Sequence, residues 1–68
     1  MSRIEDLTVG TRVRVTSRGG VTGTIDAPHT MDNTVIPPRP VVHIRFDGKR
    51  ASFGLNYPED VEIIGGEA

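Results

Sequence analysis

The sequence contains no cysteine and no tryptophan. Disulfide staples and thiolate metal sites are thereby excluded, and packing and hydrogen bonds alone must hold a chain of 68 residues. A domain of this length buries roughly 60% of the surface its unfolded form exposes, so the stability margin is thin and association with a further subunit is an expectation. Aromatic residues are scarce, with Phe46, Phe53 and Tyr57 the whole set. A groove for proline-rich peptides, which needs several exposed rings, is therefore not expected. An excess of one charge is missing as well. Eight basic and nine acidic side chains leave a formal net charge of −1, without the basic surplus of many binders of nucleic acid or anionic membranes. No apolar run approaches the roughly eighteen residues of a membrane span, and residues 1–10, MSRIEDLTVG, lack the apolar segment of a secretory signal. The cytoplasm is the expected location.

What is present is strand grammar. In residues 40–48, PVVHIRFDG, the apolar Val42, Ile44 and Phe46 alternate with His43, Arg45 and Asp47, a period of two that sends one set to a core and the other to water. Asp47-Gly48 supplies a hairpin turn. Residues 11–17, TRVRVTS, form a first strand with Val13 and Val15 inward and Arg12 and Arg14 outward, and residues 21–26, VTGTID, a second with Val21 and Ile25 inward. Gly23 between them marks a bulge or a close backbone crossing. Residues 50–53 pair back on the central strand. Residues 56–60 make a turn with Pro58 opening a short helical segment, and residues 61–64 form the last strand. The expected core is Leu7, Val9, Val13, Val15, Val21, Ile25, Val42, Ile44, Phe46, Phe53, Leu55, Val61 and Ile63. Residues 1–10 read as a lead-in arm and residues 65–68 as a frayed tail of one domain spanning 1–68.

Residues 27–40, APHTMDNTVIPPRP, hold four of the five prolines and read as a long loop; loops of this length tend to be functional or disordered. Its apolar Met31, Val35 and Ile36 either close one end of a barrel or form a surface for a partner. Residues 37–40 match a minimal PxxP peptide, a pattern that arises often by chance. Gly19-Gly20 beside Arg18 suits a hairpin turn at least as well as an anion cradle.

Five short strands with a helical turn before the last predict an all-β, five-stranded antiparallel small barrel. The layout resembles the SH3-like small-barrel superfold: VGTRVRV (9–15), VTGTI (21–25), PVVHIRFDG (40–48) and NYPEDVEII (56–64) fall in the order such barrels use. The resemblance covers nearly the whole chain, and it is one of architecture, which many functions share. The photosystem I subunit PsaE and its electron-transport-accessory relatives are similar at Gly10 to Val15, at residues 40–47 and around Phe53 to Ile64, although the asparagine-rich loop that PsaE carries after its central strand is missing. KOW-type ribosomal and transcription domains resemble Arg12 to Ile25 without sharing the charge balance. The plasmid-encoded type II dihydrofolate reductases become enzymes by symmetric assembly of such barrels. Their VQIY signature aligns with Val42-His43-Ile44-Arg45, but the binding Gln and Tyr are replaced, so that activity is not carried over.

Chemistry-bearing constellations are few. There is no GxSxG, no GxxxxGK and no GxGxxG. His29, Asp32 and His43 have no regular ligand spacing, so no metal or other cofactor is expected. The expectation is a non-enzymatic interaction module, a small accessory or regulatory protein that docks on another protein through Met31, Val35, Ile36, Arg39, Lys49 and Arg50. The alternative is a KOW-like nucleic-acid binder using Arg12, Arg14, Arg18, Arg45, Lys49, Arg50 and Tyr57. A third reading places a ligand or catalytic site at the interface of a homo-oligomer.

Overall fold

A computed structural model describes residues 4–65. The expected tail beyond Gly65 and the first three residues of the arm lie outside the described residues. Five antiparallel strands form one sheet: β1 (Arg12–Val15), β2 (Val21–Asp32), β3 (Arg39–Phe46), β4 (Phe53–Asn56) and β5 (Val61–Gly65). The spatial order is β4-β3-β2-β1-β5. The only helical pieces among the described residues are three single 3-10 turns, at Ile4–Asp6, Thr16–Arg18 and Pro58–Asp60. The all-β expectation holds, including the turn opened by Pro58 before the last strand. Closure into a barrel does not follow from the pairing, because β4 and β5 remain the two edges of the sheet.

The register explains which side chains share a face. Val13 pairs with Gly23 and Gly23 with Phe46, Val15 with Val21 and Val61, and Ile25 with Ile44. Directly opposed residues point to the same side of an antiparallel sheet, so these positions form the inner face. Leu7, Val13, Val15, Ile25, Val42, Ile44 and Val61 pack there as the core, with Ile4 and Phe46 against it. The lead-in arm is tied to β2 by Gly10 N–H to the Ile25 carbonyl at 2.8 Å and Ile25 N–H to the Thr11 carbonyl at 3.0 Å. Gly10 takes a φ of 95° at this bend, a conformation that favours glycine.

Several expectations are corrected. The stretch 27–40 is mostly strand: residues 27–32 continue β2 and residues 39–40 begin β3, paired as Met31 with Pro40 and Asp32 with Arg39. Register shifts between Ile25 and Thr30 absorb the proline-bearing sequence, as bulges do, so only residues 33–38 remain as a loop. The same pairing takes Arg39 and Pro40 of the PxxP run into the sheet. The fourth strand starts at Phe53, where the sequence suggests that it ends. Val9, Val21, Phe53, Leu55 and Ile63, expected inside, are exposed. The alternation places Val21, Phe53 and Ile63 on the inner face correctly; the core simply ends before it reaches them.

The outer face is held by ion pairs. Arg12 donates to both carboxylate oxygens of Asp47 at 2.7 and 2.9 Å and to Thr24 Oγ1 at 2.9 Å. Thr22 Oγ1 donates to Asp47 Oδ2 at 2.6 Å. These bonds, Arg12 first, hold the Asp47 carboxyl far below the ordinary carboxylate range. Asp32 is lowered by bonds from the Thr34 hydroxyl and backbone N–H, and Glu59 by a backbone N–H and then Arg39. Groups with a depressed folded pKa contribute stability that is complete above the unfolded value of about 4 and lost as pH falls through the folded one. A series of thermal melts should therefore fall below about pH 4, and Asp47→Asn should flatten that fall while lowering the midpoint at neutral pH.

Candidate functional site

Beyond the end of the core, the inner face opens into a groove of about 690 Å³. Val21, Phe46 and Phe53 form its apolar floor, the 49–52 connection forms one wall, and Arg18 closes the other side. The volume falls within the range of about 300–1,000 Å³ usual for ligand sites.

Each part has a local cause. After β1 the chain makes one 3-10 turn and reverses through Gly19 and Gly20, whose φ values are 75° and 81°. This swings Arg18 back over the sheet. Its Nε donates to Asn56 Oδ1 at 3.0 Å, and its guanidinium carbon lies 4.1 Å from the Phe53 ring centre and 6.0 Å from that of Phe46. Asn56 is 2% exposed and donates from Nδ2 to the carbonyls of Val42 and Phe53, at 3.1 and 2.7 Å. A buried amide with its partners satisfied rigidifies its surroundings, so Arg18 rests on a fixed support. The two phenylalanine rings are 6.5 Å apart and tilted at 46°, within the range of favourable ring pairs. Phe53 nonetheless leaves 40% of its surface exposed. The turn at 47–48 is tied by Lys49 N–H to the Phe46 carbonyl at 3.0 Å, which puts Lys49 and Arg50 on the wall of the groove.

The basic side chains of the described residues divide into three groups. Arg12 and Arg14 lie on the outer face and are paired with Asp47 and Glu62, the latter at 3.2 Å. Arg45 belongs to that face by alternation with Phe46. Arg18, Lys49 and Arg50 line the groove, and no carboxylate among the described residues forms an ion pair with any of the three. Arg39 pairs with Glu59 and stacks on Tyr57 at 4.0 Å, while the Tyr57 hydroxyl donates to Asp32 at 3.4 Å. Tyr57 thus has one face covered. The seven residues of the nucleic-acid alternative do not form a single patch.

The six candidates for protein docking are divided too. Lys49 and Arg50 belong to the groove. Met31, Val35, Ile36 and Arg39 lie along the far part of the β2–β3 hairpin and its loop, where Ile36 is 98% exposed and Val35 half-buried. Val21, Phe46, Phe53 and Asn56 escaped the sequence reading as site residues because strand alternation assigned the first three to the core and left Asn56 in a turn. A second, smaller hollow of about 310 Å³ lies under the lead-in arm between Leu7, Val9 and Pro28. No group of three or more His, Asp or Glu side chains converges as a metal site among the described residues. His43 bonds Thr30 Oγ1 through Nε2 at 2.8 Å. No helix of the described residues is long and apolar enough to cross a membrane.

No family model, curated protein or solved structure matches the chain.

Proposed function

We propose that the protein is a non-enzymatic interaction module, SH3-like in architecture and cytoplasmic, that docks on another protein through the groove over Phe46 and Phe53. The meander of β1 to β4, the return of β5 to pair with β1 and the 3-10 turn before β5 support the architectural part. The docking reading is carried by one observation: an apolar, partly exposed floor is bordered by three cations that form no ion pair among the described residues. Arg12, Arg14 and Arg39 find carboxylates, whereas Arg45 stands alone on the outer face and the three groove cations stand together, free for a partner. An exposed aromatic beside an arginine is also the composition of interface hot spots. The hairpin tip, with Met31 and Ile36 exposed, is the competing contact on the same molecule.

Capture from lysate separates the two surfaces. Proteins retained by the wild-type chain are expected to be lost with Lys49→Glu/Arg50→Glu and kept with Val35→Ser/Ile36→Ser. The reverse pattern would move the docking surface to the hairpin tip, and identical capture by all three would remove both.

Nucleic acid is the second reading, favoured by one observation: two phenylalanine rings share the groove with Arg18, Lys49 and Arg50, and rings beside cations are what single strands use. The pairing of Arg12, Arg14 and Arg39 with carboxylates weighs against it, since a phosphate track needs a row of free cations. A mixed single-stranded oligonucleotide should form no complex even near 50 mM salt; a complex that forms there and dissolves near 500 mM would put this reading first.

A further inference from the structure

We infer that the segment received by the groove is an acidic, apolar-anchored stretch of polypeptide: one large aliphatic or aromatic side chain with Asp or Glu within two residues of it. This inference rests on the docking reading above and specifies its partner.

The anchor follows from the floor. Val21 and Phe53 are 45% and 40% exposed on the same side of the sheet as the core. Covering such surface contributes about 25 cal/mol per Å² removed from water, and a large apolar side chain is the group that covers it. The acidic residue follows from Arg18. Of the five N–H donors of a guanidinium, Nε–H is spent on Asn56, leaving the terminal nitrogens for a carboxylate. The same Asn56 bond and the stacking on Phe53 hold the group in place, so little side-chain freedom is lost on binding. Because the guanidinium lies only 4.1 Å above the ring that receives the anchor, anchor and carboxylate must be near neighbours in the ligand chain. Lys49 and Arg50 are exposed and extend the positive rim. Rim charges of this kind act on encounter rate and partner selection, which favours further acidic residues flanking the anchor.

Three ten-residue synthetic peptides test this against the isotope-labelled full chain by amide shift titration. One carries Phe and Leu among Asp and Glu; the second replaces its acids with Lys; the third replaces its apolar residues with Ser. The first is expected to bind at least about tenfold tighter than either of the others, with shifts at Arg18, Val21, Phe46 and residues 49–53. The preference for acid should vanish in Lys49→Glu/Arg50→Glu. Comparable binding by the lysine or serine peptide, no binding by the first, shifts confined to residues 31–39, or displacement of the first by a single-stranded oligonucleotide would each overturn the inference. If it falls while that charge-reversed variant still loses the proteins captured by wild type, the docking reading survives alone. If capture is unchanged in the variant, the docking reading falls as well.

Discussion

Gly23→Val is expected to abolish cooperative folding, and Gly23→Ala to lower the thermal midpoint by more than about 10 °C. Gly23 lies in β2, paired on one side with Val13 and on the other with Phe46. A Cβ built there would sit 2.7 Å from the Arg45 carbonyl oxygen, 2.7 Å from Ile44 Cγ2 and 3.0 Å from Phe46 Cα. Two of these obstacles are backbone, which cannot swing aside, and they belong to the central strand. Forcing one extra carbon into a packed core costs about 1–3 kcal/mol, and backbone obstacles place this site at the upper end. In a domain of this size each kcal/mol moves the midpoint by about 4–8 °C. Gly54→Ala is the control. Its Cβ would meet only the His43 ring, at 2.8 Å from Nδ1, and a side chain can turn away at smaller cost. Thermal melts by circular dichroism should rank the variants wild type, Gly54→Ala, Gly23→Ala, Gly23→Val. A Gly23→Ala midpoint within a few degrees of wild type would show that β2 and β3 are not packed this closely.

The second large effect is expected at Asn56. Asn56→Leu keeps roughly the side-chain volume but strips the Val42 and Phe53 carbonyls of their amide donor and Arg18 of its acceptor. Leaving a buried polar group without a partner costs about 1–3 kcal/mol, and two carbonyls are involved, so a loss near the top of that range is expected. Arg18→Ala should cost less, because an exposed cation–π contact contributes about 0.5–1 kcal/mol. Both substitutions should weaken binding of the acidic, apolar-anchored peptide, Arg18→Ala by removing the cation and Asn56→Leu by releasing it. If Asn56→Leu melts with wild type, the amide is not what holds β3, β4 and Arg18 together.

The inward faces of β1, β3 and β5 and of the first half of β2 were legible in the sequence because a period of two depends on local order alone. By contrast, β4 was displaced, since a register shift turns Asn56 inward in place of Leu55. Val13, Val15, Ile25, Val42, Ile44 and Val61 are all buried as the alternation requires. Gly23 was legible as a close crossing for a similar reason: a glycine on the inner face of a strand has few other uses. The groove was not. Whether Phe53 is covered depends on where the core runs out, and that depends on the number and length of strands laid over it. The stretch 27–40 misled because its prolines suggest a loop, whereas bulges in β2 let it pair out to Asp32 and Arg39. The split of the basic residues was half legible. Arg12, Arg14 and Arg45 share an outward phase, but the return of Arg18 to the opposite face is set by two glycines and by Asn56, thirty-eight residues away.

The most direct measurement is photo-crosslinking in the protein's native cells, with a benzophenone amino acid placed at Ala51 on the groove wall or at Ile36 on the hairpin loop. Discrete protein adducts are expected from position 51, absent when Lys49→Glu/Arg50→Glu is added and absent from position 36. Adducts from position 36 alone, or from position 51 with the charge reversal making no difference, would contradict the assignment of the groove as the docking surface.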